Sequence, residues 1–230
     1  MDSLGLNDRQ GLMLALDVES CLDAEKIISE NKDYIDAVKL GTTLLTNPKG
    51  GFGIISKISK NYDLPVFVDA KLKDITHVII STILSYKQHG ASAVSCWADI
   101  GKKAICFINE RLKPEIDLVI MTALTSLPYH VIENTAKKNI MIAVDCGCEY
   151  VQIPGNFPKL INWARENIKE PIKIVSCGMG CQGGEIGQAI ENGATYEIIG
   201  RYILDSYDIS TTLRETHKLI HDKLNALLKE

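Results

Sequence analysis

The 230-residue chain has no charge-free stretch long enough to cross a bilayer. The longest covers residues 118–132 and contains Ser, Thr, Pro, Tyr and His, where a span needs about 20 largely apolar residues. It has no basic excess either, with 25 Lys and Arg against 29 Asp and Glu and a net charge of −4, so neither nucleic acid nor an anionic membrane surface is an expected partner. The seven cysteines are odd in number and contain no C-x-x-C pair; a disulfide framework or zinc ribbon has no support in their spacing, and reduced thiols are expected. The first apolar run, residues 11–16, is too short for a secretory signal and follows Asp2 and Asp8 rather than a basic segment, so a cytoplasmic protein is expected. No Gly-x-Gly-x-x-Gly follows that run and no Gly-Lys-Ser/Thr occurs, which removes the usual signatures of a nucleotide-binding open sheet.

What is present is a core. Apolar residues make up 46% of the chain and charged ones 23%, enough to bury one sizeable interior. Val- and Ile-rich runs recur at 12–18, 35–41, 65–71, 91–97, 117–124, 139–146, 172–177 and 196–200. Segments with helical spacing fill most intervals, at 24–31, 53–61, 76–88, 102–111, 129–137, 157–167 and 185–192, and a last one covers 211–228. In that last segment Leu213, His217, Ile220, Leu224 and Leu227 form one stripe, which makes His217 a core or boundary residue. The runs are nearly continuously apolar, as parallel strands covered on both faces are. Eight strand–helix units predict an α/β protein, a single-domain (β/α)₈ TIM barrel, with residues 1–10 as a lead-in and 11–230 as the barrel, including the helix at 211–228. A doubly wound open sheet is the alternative, and no Pro- or Ser-rich linker divides the chain.

Charge at the end of an apolar strand is costly unless it has a partner or a purpose. The first run ends in Leu-Ala-Leu-Asp17, the second in Ala-Val-Lys39-Leu-Gly, and the third in Asp69-Ala-Lys71 before Leu-Lys73-Asp74. Taken singly these are strand-end ion pairs or, for Asp74, a helix N-cap. Taken together Lys39, Asp69, Lys71 and Asp74 alternate in sign, so each can face an opposite charge and stay ionised. Asp69 and Lys71, two apart, share one face of a strand. A substrate carboxylate pressed against such a site meets a repulsion of about 4 kcal/mol at 4 Å and an effective dielectric of 20. Loss of carbon dioxide would relieve it.

Late in the chain, Cys177-Gly178-Met179-Gly180-Cys181-Gln182-Gly183-Gly184 and Ile199-Gly200-Arg201 follow the seventh and eighth strands. Loops there commonly bind phosphate in barrels, glycines letting backbone N–H groups approach and an arginine adding a two-pronged donor. A phosphorylated small molecule is the expected ligand. Cys146-Gly-Cys148 and Cys177-x-x-x-Cys181 match no common zinc spacing. His77, His89 and His130 lack the partner spacing of a nucleophile–base pair and are read as surface or packing residues.

On these motifs the chain resembles the orotidine 5′-monophosphate decarboxylases, above all in Val-Asp69-Ala-Lys71-Leu-Lys73-Asp74-Ile75, Gly180-Cys-Gln182-Gly-Gly and Ile-Gly200-Arg201. The resemblance implies cofactor-free and metal-free decarboxylation of orotidine 5′-monophosphate in a cytoplasmic homodimer, with Asp74 shared across the interface. It further implies that Lys39, Asp69, Lys71 and Asp74 are catalytic, that Lys39 positions Asp69, and that Lys71 protonates the carbanion. Asp17 would bind ribose, Ser126 the pyrimidine, and Gln182, Gly200 and Arg201 the phosphate, with Ile75, Gly178, Gly180 and Gly183 also at the ligand. The chain departs from the family pattern Asp-Ile-Pro-x-Thr, carrying Asp74-Ile75-Thr76-His77-Val78, and has Cys177 where proline is common. Two alternatives stand beside this one: a magnesium-dependent sugar-phosphate decarboxylase or aldolase like 3-keto-L-gulonate 6-phosphate decarboxylase, and a non-catalytic nucleotide-binding barrel. The former carries a glutamate metal ligand where this chain has Lys39.

Overall fold

The computed structural model describes residues 5–227. Eight parallel strands close into a barrel in sequence order: β1 (Gly11–Ala15), β2 (Ala37–Gly41), β3 (Val66–Leu72), β4 (Ala93–Trp97), β5 (Asp117–Met121), β6 (Tyr150–Pro154), β7 (Lys173–Cys177) and β8 (Tyr196–Ile199). Closure comes from β1 against β8, with Gly11 beside Tyr196 and Leu14 beside Ile199. The outer ring consists of α1 (Cys21–Asn31), α2 (Thr42–Thr46), α3 (Gly53–Asn61), α4 (Thr76–Gln88), α5 (Lys102–Leu112), α6 (Tyr129–Asp145), α7 (Pro158–Asn167), α8 (Gln188–Glu191), α9 (Arg201–Leu204) and α10 (Ile209–Leu227). Local chemistry starts several of these helices. Ser20 caps α1 by accepting the Asp23 N–H at 3.1 Å, and Pro158 opens α7, where a missing N–H costs nothing.

Every residue of β1, β2, β6 and β8 is buried, because one strand face meets the barrel interior and the other meets the helices. The outward face, including Leu12, Val38 and Val68, packs against helix residues such as Ile28, Ile55 and Ile83. The inward face supplies Met13, Phe67, Val119, Tyr150, Val175 and Tyr196, with Leu6 closing the floor. There the Tyr196 hydroxyl donates to the carbonyls of Leu6 and Arg9 at 3.0 and 2.6 Å, and the Tyr150 hydroxyl donates to Asn7 at 2.7 Å. Two residues further along four of the strands the interior becomes polar. Lys39 follows Ala37, Asp69 follows Phe67, Ser95 follows Ala93 and Gln152 follows Tyr150, and all four polar residues are buried. The period of two thus divides the interior into an apolar floor and a polar upper layer at the carboxyl ends of the strands.

Three sequence expectations are corrected. Residues 139–146 do not form the sixth strand; up to Asp145 they continue α6, and β6 lies at Tyr150–Pro154. Ile132, Ala136, Asn139, Ile140 and Ala143 are all buried on one helical face, so the helical period persists through a run whose short apolar stretch fits either period. The thiols are not all reduced: Cys106 of α5 and Cys146, just after α6, form a disulfide across adjacent helices, 40 residues apart in sequence. A pair so distant leaves no local spacing signal. Finally, the closing stripe holds for Leu213, Ile220 and Leu224, which are buried, and for His217, which is half-buried at the boundary, while Leu227 is exposed. Leu228 and the first four residues of the lead-in lie outside the described residues. Among the described residues no helix is long and apolar enough to cross a membrane.

Candidate active site

The upper layer is organised by two lysine–carboxylate couples. From β2, Lys39 donates its Nζ to both oxygens of Asp17, at 2.8 and 2.9 Å. The Lys39 side chain is only 9% exposed and that of Asp17 is 40% exposed, so the couple runs from the interior to the mouth. Gly41 makes room for it: a Cβ there would stand 2.8 Å from Asp17 Oδ1 and 3.4 Å from Lys39 Nζ. From β3, buried Asp69 pairs with the Lys71 ammonium and accepts the Ser95 hydroxyl at 2.9 Å. The same hydroxyl oxygen accepts the Lys71 N–H at 2.8 Å. Asp69 is therefore held by Ser95 and Lys71, and the partner of Lys39 is Asp17.

The backbone at Lys71 explains how this pairing is reached. Its φ is +48°, in the left-handed region that a non-glycine residue occupies at a cost of about 1–3 kcal/mol, and the β3–β4 register shifts between Val68 and Leu72. Such an irregularity re-aims a side chain, and here it folds the Lys71 ammonium back over Asp69.

Both couples line a cavity of about 260 Å³, together with Thr125, Gln152, Cys177, Gly178, Gln182, Gly200 and Arg201. Gln182 and Arg201 are exposed at its mouth. The glycine-rich loop is shaped by its own backbone: Gly180 N–H bonds the Gly184 carbonyl at 2.7 Å, Gly183 N–H the Gly180 carbonyl at 2.9 Å, and Gly184 N–H the Gly178 carbonyl at 3.0 Å. Gly180, at φ +65°, lies so close to Tyr202 that a Cβ would come within 2.9 Å of its Cβ. The N–H groups of Gly180 and Gly183 thus fold the loop, and neither residue lines the cavity. Thr125 ties the β5 loop to this one through Gln182 Oε1 at 3.4 Å.

Of the residues singled out in the sequence, Asp17, Lys39, Asp69, Lys71, Gly178, Gln182, Gly200 and Arg201 meet in this cavity. Asp74, Ile75 and Ser126 do not line it. Asp74 is exposed and accepts the Ile75 N–H at 2.6 Å, in a separate groove with Thr76, Ile100 and Ala104. Ser126 is exposed, and its neighbour Thr125 takes the place at the wall. Ser95, Thr125 and Gln152 escaped the sequence reading. Ser95 follows from the same two-residue parity that places Asp69, and Gln152 was hidden by the misplaced sixth strand. Gln152 donates to the Cys177 sulfur at 2.9 Å, and its buried Oε1 has no partner within the protein. Burial pushes the Cys177 thiol above its ordinary value, so it faces the cavity as a neutral group.

The model of the orotidine 5′-phosphate decarboxylase / HUMPS family matches residues 10–216. The orotidine 5′-phosphate decarboxylase of Pyrococcus abyssi is 32% identical over 207 residues, covering 90% of this chain and 97% of the relative. Among solved structures, orotidine 5′-phosphate decarboxylase from Pyrococcus horikoshii OT3 superposes with a TM-score of 0.79 at 28% identity, over 93% of this chain and 99% of that one. The Methanocaldococcus jannaschii orotidine 5′-monophosphate decarboxylase, solved with the inhibitor BMP, gives the same TM-score at 26% identity, over 92% and 99% of the two chains.

Proposed function

Because the chain belongs to the orotidine 5′-phosphate decarboxylase / HUMPS family, we propose that it converts orotidine 5′-monophosphate into uridine 5′-monophosphate and carbon dioxide, a carboxy-lyase step of pyrimidine nucleotide synthesis. The observation that carries this reading is the presence of Lys71–Asp69, Lys39–Asp17 and Arg201 around one cavity. Arg201 and Gln182 hold the phosphate at the mouth. Asp17, fixed by Lys39, accepts from the ribose hydroxyls. The pyrimidine then lies over β3, with its carboxylate against Asp69. The bond from ring carbon six to the carboxylate breaks, carbon dioxide leaves, and the electron pair stays on carbon six. Lys71 delivers a proton to that carbon and recovers one from solvent. Asp69 destabilises the ground state by charge repulsion, and its hold on Lys71 keeps the acid aimed. Phosphate binding helps to exclude water from the ring it never touches. Lys39 places a cation, already paired with Asp17, where the magnesium-dependent relatives carry a metal ligand, which favours the nucleotide over the sugar phosphate as substrate. Cytoplasmic location belongs to the same reading.

The reading includes a homodimer in which Asp74 reaches the partner's site. In support, Asp74 is exposed beside Ile75, and the adjoining groove ends at Phe107; these two apolar side chains are 67% and 57% exposed. Thr76 lines both grooves, so the residue replacing the family's proline stands on this face.

The test is the fall in ultraviolet absorbance of orotidine 5′-monophosphate with purified protein, with and without chelator. Turnover indifferent to chelator is expected; absence of turnover, with uridine 5′-monophosphate still bound, would leave a binding barrel instead. Chelator-sensitive turnover would point to the magnesium class. For the dimer, mixing Asp74→Ala with Lys71→Ala protein should restore about a quarter of wild-type activity through mixed dimers carrying one intact site. No restoration on subunit exchange would exclude a shared site.

A further inference from the structure

At the opposite end of the barrel, away from the cavity, α10 carries His217 and His221 four residues apart on one face. Both Nε2 atoms approach the same oxygen of Asp36, which precedes β2: His221 at 2.8 Å and His217 at 3.7 Å. That oxygen also accepts the Leu12 N–H at 2.8 Å. With two close donors already on Oδ2, the half-buried His217 is aimed at the carboxylate but stands beyond hydrogen-bond range. The two rings lie 4.0 Å apart at 30°, and Tyr34 packs edge-on against His217 with ring centroids 5.9 Å apart. Their orientation is thus set from both sides.

We propose that Asp36, His217 and His221 form a binding site for a divalent transition-metal ion of the zinc class, which ties the C-terminal helix to the foot of the barrel. One donor atom from each residue lies within 4.8 Å of the others, and this is the one such group of three among the described residues. A tetrahedral ion with bonds of 2.0–2.1 Å holds its ligands about 3.3 Å apart. The two histidine–aspartate separations, 2.8 and 3.7 Å, bracket that value, and the third pair of donors lies within 4.8 Å. Two imidazoles and one carboxylate select zinc-class ions over magnesium or calcium, which prefer oxygen alone. The Leu12 N–H orients the carboxylate, as groups behind metal ligands commonly do. Gly11 keeps the space open: at φ +122° it accommodates no ordinary side chain, and a Cβ there would lie 2.6 Å from Asp36 Oδ2 and 2.9 Å from His221 Nε2.

The experiment is zinc sulfate titration of chelator-stripped full-length protein, followed by calorimetry and thermal unfolding. One zinc per chain is expected, with Tm rising roughly 5–10 °C once free zinc exceeds its Kd about a hundredfold. In the His217→Gln/His221→Gln double variant, which retains polar side chains facing Asp36, the zinc-dependent rise should vanish. Should that variant not fold, zinc-edge X-ray absorption on the wild type decides: two imidazoles with oxygen support the site, and sulfur ligation overturns it. A wild-type Tm indifferent to zinc, or a rise that survives in the double variant, overturns it equally.

Discussion

Lys39 and Asp17 form a two-pronged ion pair, with both carboxylate oxygens within 2.9 Å of one ammonium. This leaves Asp69 to Lys71 and Ser95. The cavity therefore holds two neighbouring couples instead of one chain of alternating charges, and the two can be perturbed separately. In the proposed function, Asp17 and Lys39 would prepare the surface that receives ribose, and Asp69 and Lys71 would face the reacting carbon.

Replacing the proposed proton donor tests the second couple. Lys71→Ala should stay folded, because the Lys71 side chain is 40% exposed and its removal opens no sealed cavity. Decarboxylation should fall by at least about 10²–10⁴-fold, the range for losing a positioned general acid. Circular dichroism and the absorbance assay measure the two effects; robust turnover in the folded variant would contradict the role given to Lys71.

Arg201→Ala separates phosphate binding from chemistry at the ring. Loss of a charge-assisted contact of about 1.5–3 kcal/mol should lower kcat/KM for orotidine 5′-monophosphate about 10–100-fold. The slow reaction of orotidine, which has no phosphate, should not change. An equal loss on both substrates would mean that Arg201 acts on the fold or on the ring.

Glu197 lies fully buried on the outer face of β8, where its carboxylate accepts the N–H groups of Gly187, Ala189 and Ile190 at 2.7, 2.8 and 3.1 Å. It thereby anchors the start of α8, directly after the glycine-rich loop. Burial pushes its carboxyl upward while those three bonds oppose the shift. Glu197→Ala leaves three donors unmatched and should cost about 3 kcal/mol or more, lowering Tm by roughly 6–12 °C. Glu197→Gln, which keeps one acceptor oxygen, should fall between. Thermal unfolding distinguishes this from a change of less than a degree, which would remove Glu197 from the anchor.

At the foot of β5, burial and the nearby Glu149 charge push Asp117 up to about 6, against the pull of Lys173 and Lys113. The folded state then binds this proton more tightly than the unfolded one. The sign follows: between about pH 4 and 6 the Asp117 contribution to stability declines as pH rises, and it is flat above that window. Asp117→Asn should remove this component from the pH dependence of unfolding. A carboxyl-carbon NMR titration gives the midpoint directly, and one near 4 would contradict the assignment.

The sequence alone determined the alternation of strand and helix, the apolar strands and the charged residues at their ends, because these are local, periodic properties of the chain. Asp17, Lys39, Asp69, Lys71, Gln182 and Arg201 were all legible in this way, each standing at a strand end or in a marked loop. Where one run suited two periods, as at 139–146, only packing decided, and burial of Ile140 and Ala143 beside Ala136 made it helix. Tertiary structure also decided the partners. Asp69 meets Ser95 from the next strand, and Cys106 meets Cys146 across two helices. Asp36 meets His221 from the far end of the chain, at a separation of 185 residues. Barrel closure brings such groups together, and no spacing along the chain encodes a contact whose two halves are set by different strands and helices.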